Sequence, residues 1–128
     1  MRPAVTRVGS GLPTPVLAVV LALLLAVALS GCENIPKSAS KKDFCSAGER
    51  FSASTTFKQG VSAAKKLSSV GTPKGIPKRA RDGFVELVNR VLDAKNGPDF
   101  MARSKRINHD EQLNLQALDA YIKKTCTE

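Results

Sequence analysis

ARDGFVELVNRVL, residues 80–92, decides the fold class. Ala80, Phe84, Leu87, Val88, Val91 and Leu92 recur at spacings of three and four, which places them on one face of a helix. Asp82, Glu86, Asn89, Arg90 and Asp93 fall on the other face. Glu86 precedes Arg90 by one turn in the favourable orientation, so a weak surface pair is expected between them. Asn96-Gly97-Pro98 ends the helix. Upstream lies GTPKGIPKRAR, residues 71–81, whose two prolines and two glycines predict a stiff connection with Pro77 in the helix's first turn.

The same period extends outward on both sides. Phe57, Val61, Ala64 and Leu67 form a stripe behind a Thr55 or Thr56 cap, and Gly71 is placed to stop that helix in a left-handed conformation. Before it, Phe44, Ala47 and Phe51 predict a shorter helix capped by Asp43, with Cys45 alongside. Downstream, Pro98-Asp99 opens a short helical turn with Phe100 and Met101 expected to face inward. Asn108 and Glu111 then make a capping-box pattern ahead of a stripe of Leu115, Leu118, Ile122 and Cys126. No segment alternates with period two, as a strand would. The expected fold is all-α, a small bundle of three or four helices over residues 43–128. The five phenylalanines and one tyrosine sit at core positions of these helices and read as packing.

Residues 1–31 have a different character. Arg2 and Arg7 precede an unbroken apolar run from Val16 to Leu29. That run is shorter than the ~20 residues of a membrane-spanning helix and suits a signal peptide. Leu29-Ser30-Gly31-Cys32 follows and resembles the lipobox of bacterial lipoproteins. The resemblance implies that the Cys32 thiol receives a diacylglycerol and that the chain is cut just before it. The domain would then be held at the cell membrane on its extracytoplasmic side. An uncleaved anchor, or ordinary cleavage without lipid, would export the domain equally.

With Cys32 so engaged, two of the three cysteines remain, Cys45 and Cys126. In an oxidising compartment they are expected to pair, closing nearly the whole domain; two buried free thiols are the alternative. A domain this small gains from such a staple. Between Cys32 and Lys42 the chain is small, polar and basic, and reads as a flexible tether carrying Lys37, Lys41 and Lys42.

The domain also resembles, loosely and over its whole length, small uncharacterised lipoproteins of actinobacterial type. These have a Cys-x-x-Ala-x-x-x-Phe start, to which Cys45 to Phe51 corresponds with one residue fewer. The Gly71 to Pro73 and Ile76 to Phe84 stretches match their Gly-Thr-Pro and Ile-Pro-x-x-Ala-Arg-x-Gly-Phe centre, and Tyr121 to Cys126 matches their Tyr-x-x-x-x-Cys end. The resemblance implies a disulfide-closed helical domain and brings no activity with it.

Motifs of chemistry are not evident. His109 is the sole histidine and has no companion ligands at metal-site spacing. Asp110 and Glu111 are neighbours on a helix and point about 100° apart. No phosphate loop, nucleophile elbow or Cys-x-x-Cys occurs. No enzyme activity, cofactor or metal is therefore expected.

Charge says more. The chain carries 20 lysines and arginines against 11 acids, a formal net of +9, and only Arg2 and Arg7 lie ahead of Cys32. Lys74, Lys78, Arg79 and Arg81 cluster on the stiff connection and are expected to face an anion, with Arg103, Lys105 and Arg106 extending the patch if the fold brings the two together. Outside the membrane the candidate partners are anionic lipid, wall polymer or another envelope protein, and nucleic acid is not expected. The reading is a lipid-anchored, non-enzymatic binding module; the alternative is a carrier of a small apolar ligand. Charge that only solubilises the domain would explain the excess as well.

Overall fold

The computed structural model describes residues 34–127. The signal-like run and the lipobox with Cys32 lie outside the described residues. Five helices follow in order: α1 (Lys41–Ser52), α2 (Phe57–Val70), α3 (Lys78–Leu92), α4 (Gly97–Ser104) and α5 (His109–Cys126). The described residues hold no strand, only one isolated parallel bridge between Ala39 and Pro73. Four segments match the expected helices. The fifth, α4, is a full helix where a single turn was expected. Asn96 caps it by accepting from the Asp99 amide at 2.8 Å, and Pro98 sits in its first turn.

The helix ends follow local chemistry. Thr56 and Gln59 close a reciprocal capping box on α2, as Asn108 and Glu111 do on α5. Helix α1 begins earlier than expected: Ser40, not Asp43, is its cap, and Asp43 supplies the amide that Ser40 Oγ accepts from at 3.0 Å. Pro77 occupies the cap position of α3 and contributes no side-chain bond. Gly71 ends α2 with φ 78° and ψ −155°, outside the left-handed helical region and in territory open to glycine. A Cβ there would also overlap the Pro36 carbonyl.

Helices α3 and α5 form the most extensive contact of the fold, and α1 packs mainly on α2. The pairs Glu86–Asn114 and Arg90–Glu111 show that α3 and α5 run antiparallel, since one number rises as the other falls. Their close approach is set at Gly83, where a Cβ would lie 2.6 Å from the Asn114 carbonyl carbon. A mid-helix glycine costs about 1 kcal/mol against alanine, and here it lets two backbones touch.

The core holds Ile35, Phe44, Ala47, Leu67, Phe84, Val88 and Leu118. Phe44 sits between Phe84, at 5.9 Å between ring centroids, and Tyr121, edge-on at 6.0 Å. Phe57 and Phe100 form a separate pair at 6.3 Å that fastens α4 to α2. Two side chains depart from the expected pattern: Met101 is 57% exposed and Leu92 36%. Val91, in the same turn as Leu92, is buried at 3%, so the α3 stripe stays covered as far as Val91 and only its final residue reaches solvent.

Cys45 and Cys126 form a disulfide between α1 and α5, with Cα atoms 5.5 Å apart and 81 residues between them.

Candidate functional site

The segment before α1 does not behave as a free tether. The compact unit begins at Ile35, which is 8% exposed and belongs to the core cluster. Residues 35–39 lie as a strap alongside Gly71–Pro73. The Thr72 amide donates to the Pro36 carbonyl at 2.9 Å, and the Ala39 amide donates to the Thr72 carbonyl at 3.1 Å.

Arg81 locks this strap. Its Nη2 donates to the Ile35 carbonyl at 2.7 Å, and its Nη1 donates to the Pro36 carbonyl at 3.0 Å and to Thr72 Oγ1 at 2.6 Å. Thr72 is fully buried. Desolvation pushes the Arg81 guanidinium below its ordinary pKa, against the opposing pull of Asp82. Arg81 was expected among the outward-facing cations. It faces inward instead, because the fork of a guanidinium satisfies two strap carbonyls and the Thr72 hydroxyl at once.

The other three cations of that cluster, Lys74, Lys78 and Arg79, are exposed. Lys78 lies 2.6 Å from Asp82, one turn on. Because the strap runs beside Thr72 and Pro73, it brings Lys37, Lys41 and Lys42 to the same pole, and all three are exposed. The acids there are Asp43, Asp82 and, on the last turns of α5, Asp119, which is paired with Lys123 at 2.7 Å. The result is a basic pole built from two chain segments.

The second basic cluster does not join it. Arg103, Lys105 and Arg106 precede α5, whose start lies beside the end of α3. At 1.5 Å rise per residue the length of α3 puts them about 20 Å from Lys78. An alternate connection would share an end in an up-down bundle, but α4 is too short to cross the fold. The far end carries exposed Lys58, Lys95, Lys105 and Arg106 interspersed with acids, and two of its arginines are paired. Arg103 is bonded to Asp99 at 3.0 Å, and Arg90 is paired with Glu111 at 3.6 Å. Asp99 accepts from the Lys95 amide and from Arg103, and these bonds hold its carboxyl below the usual range. The expected Glu86–Arg90 pair is replaced by contacts to α5, where Glu86 accepts from Asn114 at 2.9 Å.

An apolar groove of about 610 Å³ opens between α1 and α5. Phe51, Leu87, Leu115 and Ile122 line it, Leu67 and Phe84 close its floor, and the disulfide bounds it. Glu49 and Asp119 stand on its rim. The sequence placed these apolar residues on inner stripes, and nothing in the spacing tells a filled seam from an open one. His109 is exposed at the start of α5. Among the described residues no group of three metal-ligating side chains gathers, and no helix is long and apolar enough to cross a membrane.

No protein family, curated protein or solved structure matches the chain.

Proposed function

We propose that this chain is a lipid-anchored protein of the cell envelope that acts as a non-enzymatic binding module through its basic pole. In this reading Cys32 carries the lipid on the extracytoplasmic side, and the pole contacts an anionic partner. The observation that supports it is the convergence of exposed Lys37, Lys41, Lys42, Lys74, Lys78 and Arg79 on one end of the domain.

The physical basis is long-range attraction to a densely anionic surface or polymer. Proline-stiffened residues 71–77 and the bonded strap fix the backbone under the cations, so contact orders little beyond the lysine side chains. Exposed charges are screened over about 8 Å at physiological salt, so the contact is weak and salt-sensitive. The test is binding of the unlipidated chain from Glu33 onward to anionic vesicles and to wall polymer at low and high salt, with Lys74, Lys78 and Arg79 changed to Glu. Loss of binding in the variant is expected. Equal binding by the variant, or no binding by the parent to either partner, refutes the reading.

The groove favours a second reading, a carrier of a small apolar ligand. Its volume of about 610 Å³ falls within the range of small-molecule sites, roughly 300–1,000 Å³. A fluorescent fatty acid that binds the parent chain and is lost from Leu115→Trp would support it. Absence of any saturable binding would set it aside.

A further inference from the structure

We infer that the basic pole rests directly on the anionic phospholipid surface that holds the Cys32 lipid, with the strap acting as a stand of fixed height. This rests on the proposed lipid anchor and basic-pole reading, and names the partner as the membrane itself.

The length of chain between the anchor and the fold limits how far the domain can stand from the membrane. Ile35 is buried, so only Glu33 and Asn34 separate Cys32 from the first fixed residue. Each residue spans at most ~3.6 Å, which holds the lipidated cysteine within about 11 Å of the Ile35 position. A free tether through Lys42 would let the domain drift and tumble. The bonded strap removes that slack, because Ile35 and Pro36 are tied by Arg81 and Pro36 and Ala39 by Thr72.

Charge then selects the facing surface. The strap enters the fold among Lys37, Lys41 and Lys42 from its own chain and Lys74, Lys78 and Arg79 across the bridge. A lysine held within a Debye length of an anionic leaflet raises membrane partition by about fivefold. The anchor and the cations therefore pull the same pole onto the same surface. The far end also carries exposed cations, Lys58, Lys95 and Lys105 among them, interspersed with acids, and the length of α3 holds it about 20 Å from the anchored pole. A wall polymer would need the pole turned outward, which so short a connection opposes.

The experiment is lysine footprinting of the purified full chain in vesicles. A water-soluble acylating reagent is applied to protein in phosphatidylglycerol-containing and in pure phosphatidylcholine vesicles, and each lysine is read by mass spectrometry. Lys37, Lys41, Lys74 and Lys78 should react several-fold more slowly on the anionic vesicles, with the difference lost at high salt. Lys58 and Lys95, at the far end, should react equally on both. Uniform labelling, or protection centred on Lys95 and Lys105, overturns the inference. A parallel arm adds long-chain polyphosphate to the chain in neutral vesicles. Protection of Lys74 and Lys78 by polyphosphate, with a flat vesicle footprint, overturns the membrane seat and leaves the anion-binding reading standing. A footprint flat in both arms, or a chain that associates with no vesicle, overturns both.

Discussion

Replacing Arg81 by Met should release the strap while leaving the helical bundle folded. Methionine keeps an apolar stem of similar length and removes the guanidinium fork. Two of the three Arg81 bonds hold strap carbonyls, at 2.7 and 3.0 Å. Hydrogen bonds from a charged donor contribute about 1.5–3 kcal/mol each. Burial of Ile35 adds roughly 1.5–3 kcal/mol, and the two amide bonds to Pro36 and Thr72 carbonyls add about 1 kcal/mol each. Against these stands the ordering of residues 35–39, at about 1–2 kcal/mol per residue. With Arg81 present the gains are roughly 7–11 kcal/mol against a cost of roughly 5–10 kcal/mol. Without it the gains fall to roughly 4–5 kcal/mol, and the strap should detach. Because the strap leaves, its carbonyls are rehydrated, so the loss of global stability should be only about 1–3 kcal/mol. Hydrogen exchange resolves the two effects. The Ala39 and Thr72 amides should exchange freely in the variant, while Val88 in α3 stays protected. Retained protection at Ala39 and Thr72 would refute the role assigned to Arg81.

Three further outcomes are expected. Gly83→Ala should destabilise by about 1–2 kcal/mol in urea unfolding despite better helix propensity, because the added methyl overlaps Asn114 and overpacking outweighs the roughly 1 kcal/mol gain. Reduction of Cys45–Cys126, or Cys126→Ser, should lower stability by about 2–5 kcal/mol, read as a lower urea midpoint of the reduced or substituted protein against the non-reduced parent. Acid should loosen α4 first. Asp99 has a folded-state pKa below its ordinary value, so its contribution is complete above the ordinary value and is lost as pH falls through the depressed one. The protection factor of the Lys95 amide, corrected for intrinsic exchange, should fall on acidification in the parent and show no such step in Asp99→Asn.

The helices were legible because each carries its own local signal. The α3 stripe, the Asn108–Glu111 box and the Gly71 stop all depend on residues a turn apart, and the structure places all three as helix features. What depends on distant partners was not legible. Ile35 is a lone apolar residue in a polar stretch, and its burial requires Arg81, more than forty residues away. The same distance turned Arg81 from an apparent surface cation into an internal clamp. Gly83 sat in the middle of the strongest helix pattern as a visible exception, yet only the approach of α5 explains it. Met101 and Leu92 fell on inward stripes, yet both lie at the solvent edge of those stripes, while Val91 beside Leu92 is buried. The groove had no signature, because open and filled seams share one apolar period.

Intact mass of the chain purified from bacterial membranes tests the central claim most directly. The expected species begins at Cys32, carries a diacylglycerol, and is two hydrogens lighter than its fully reduced form because Cys45 and Cys126 are bonded. A chain that retains residues ahead of Cys32, or that begins near it without lipid, would contradict the account.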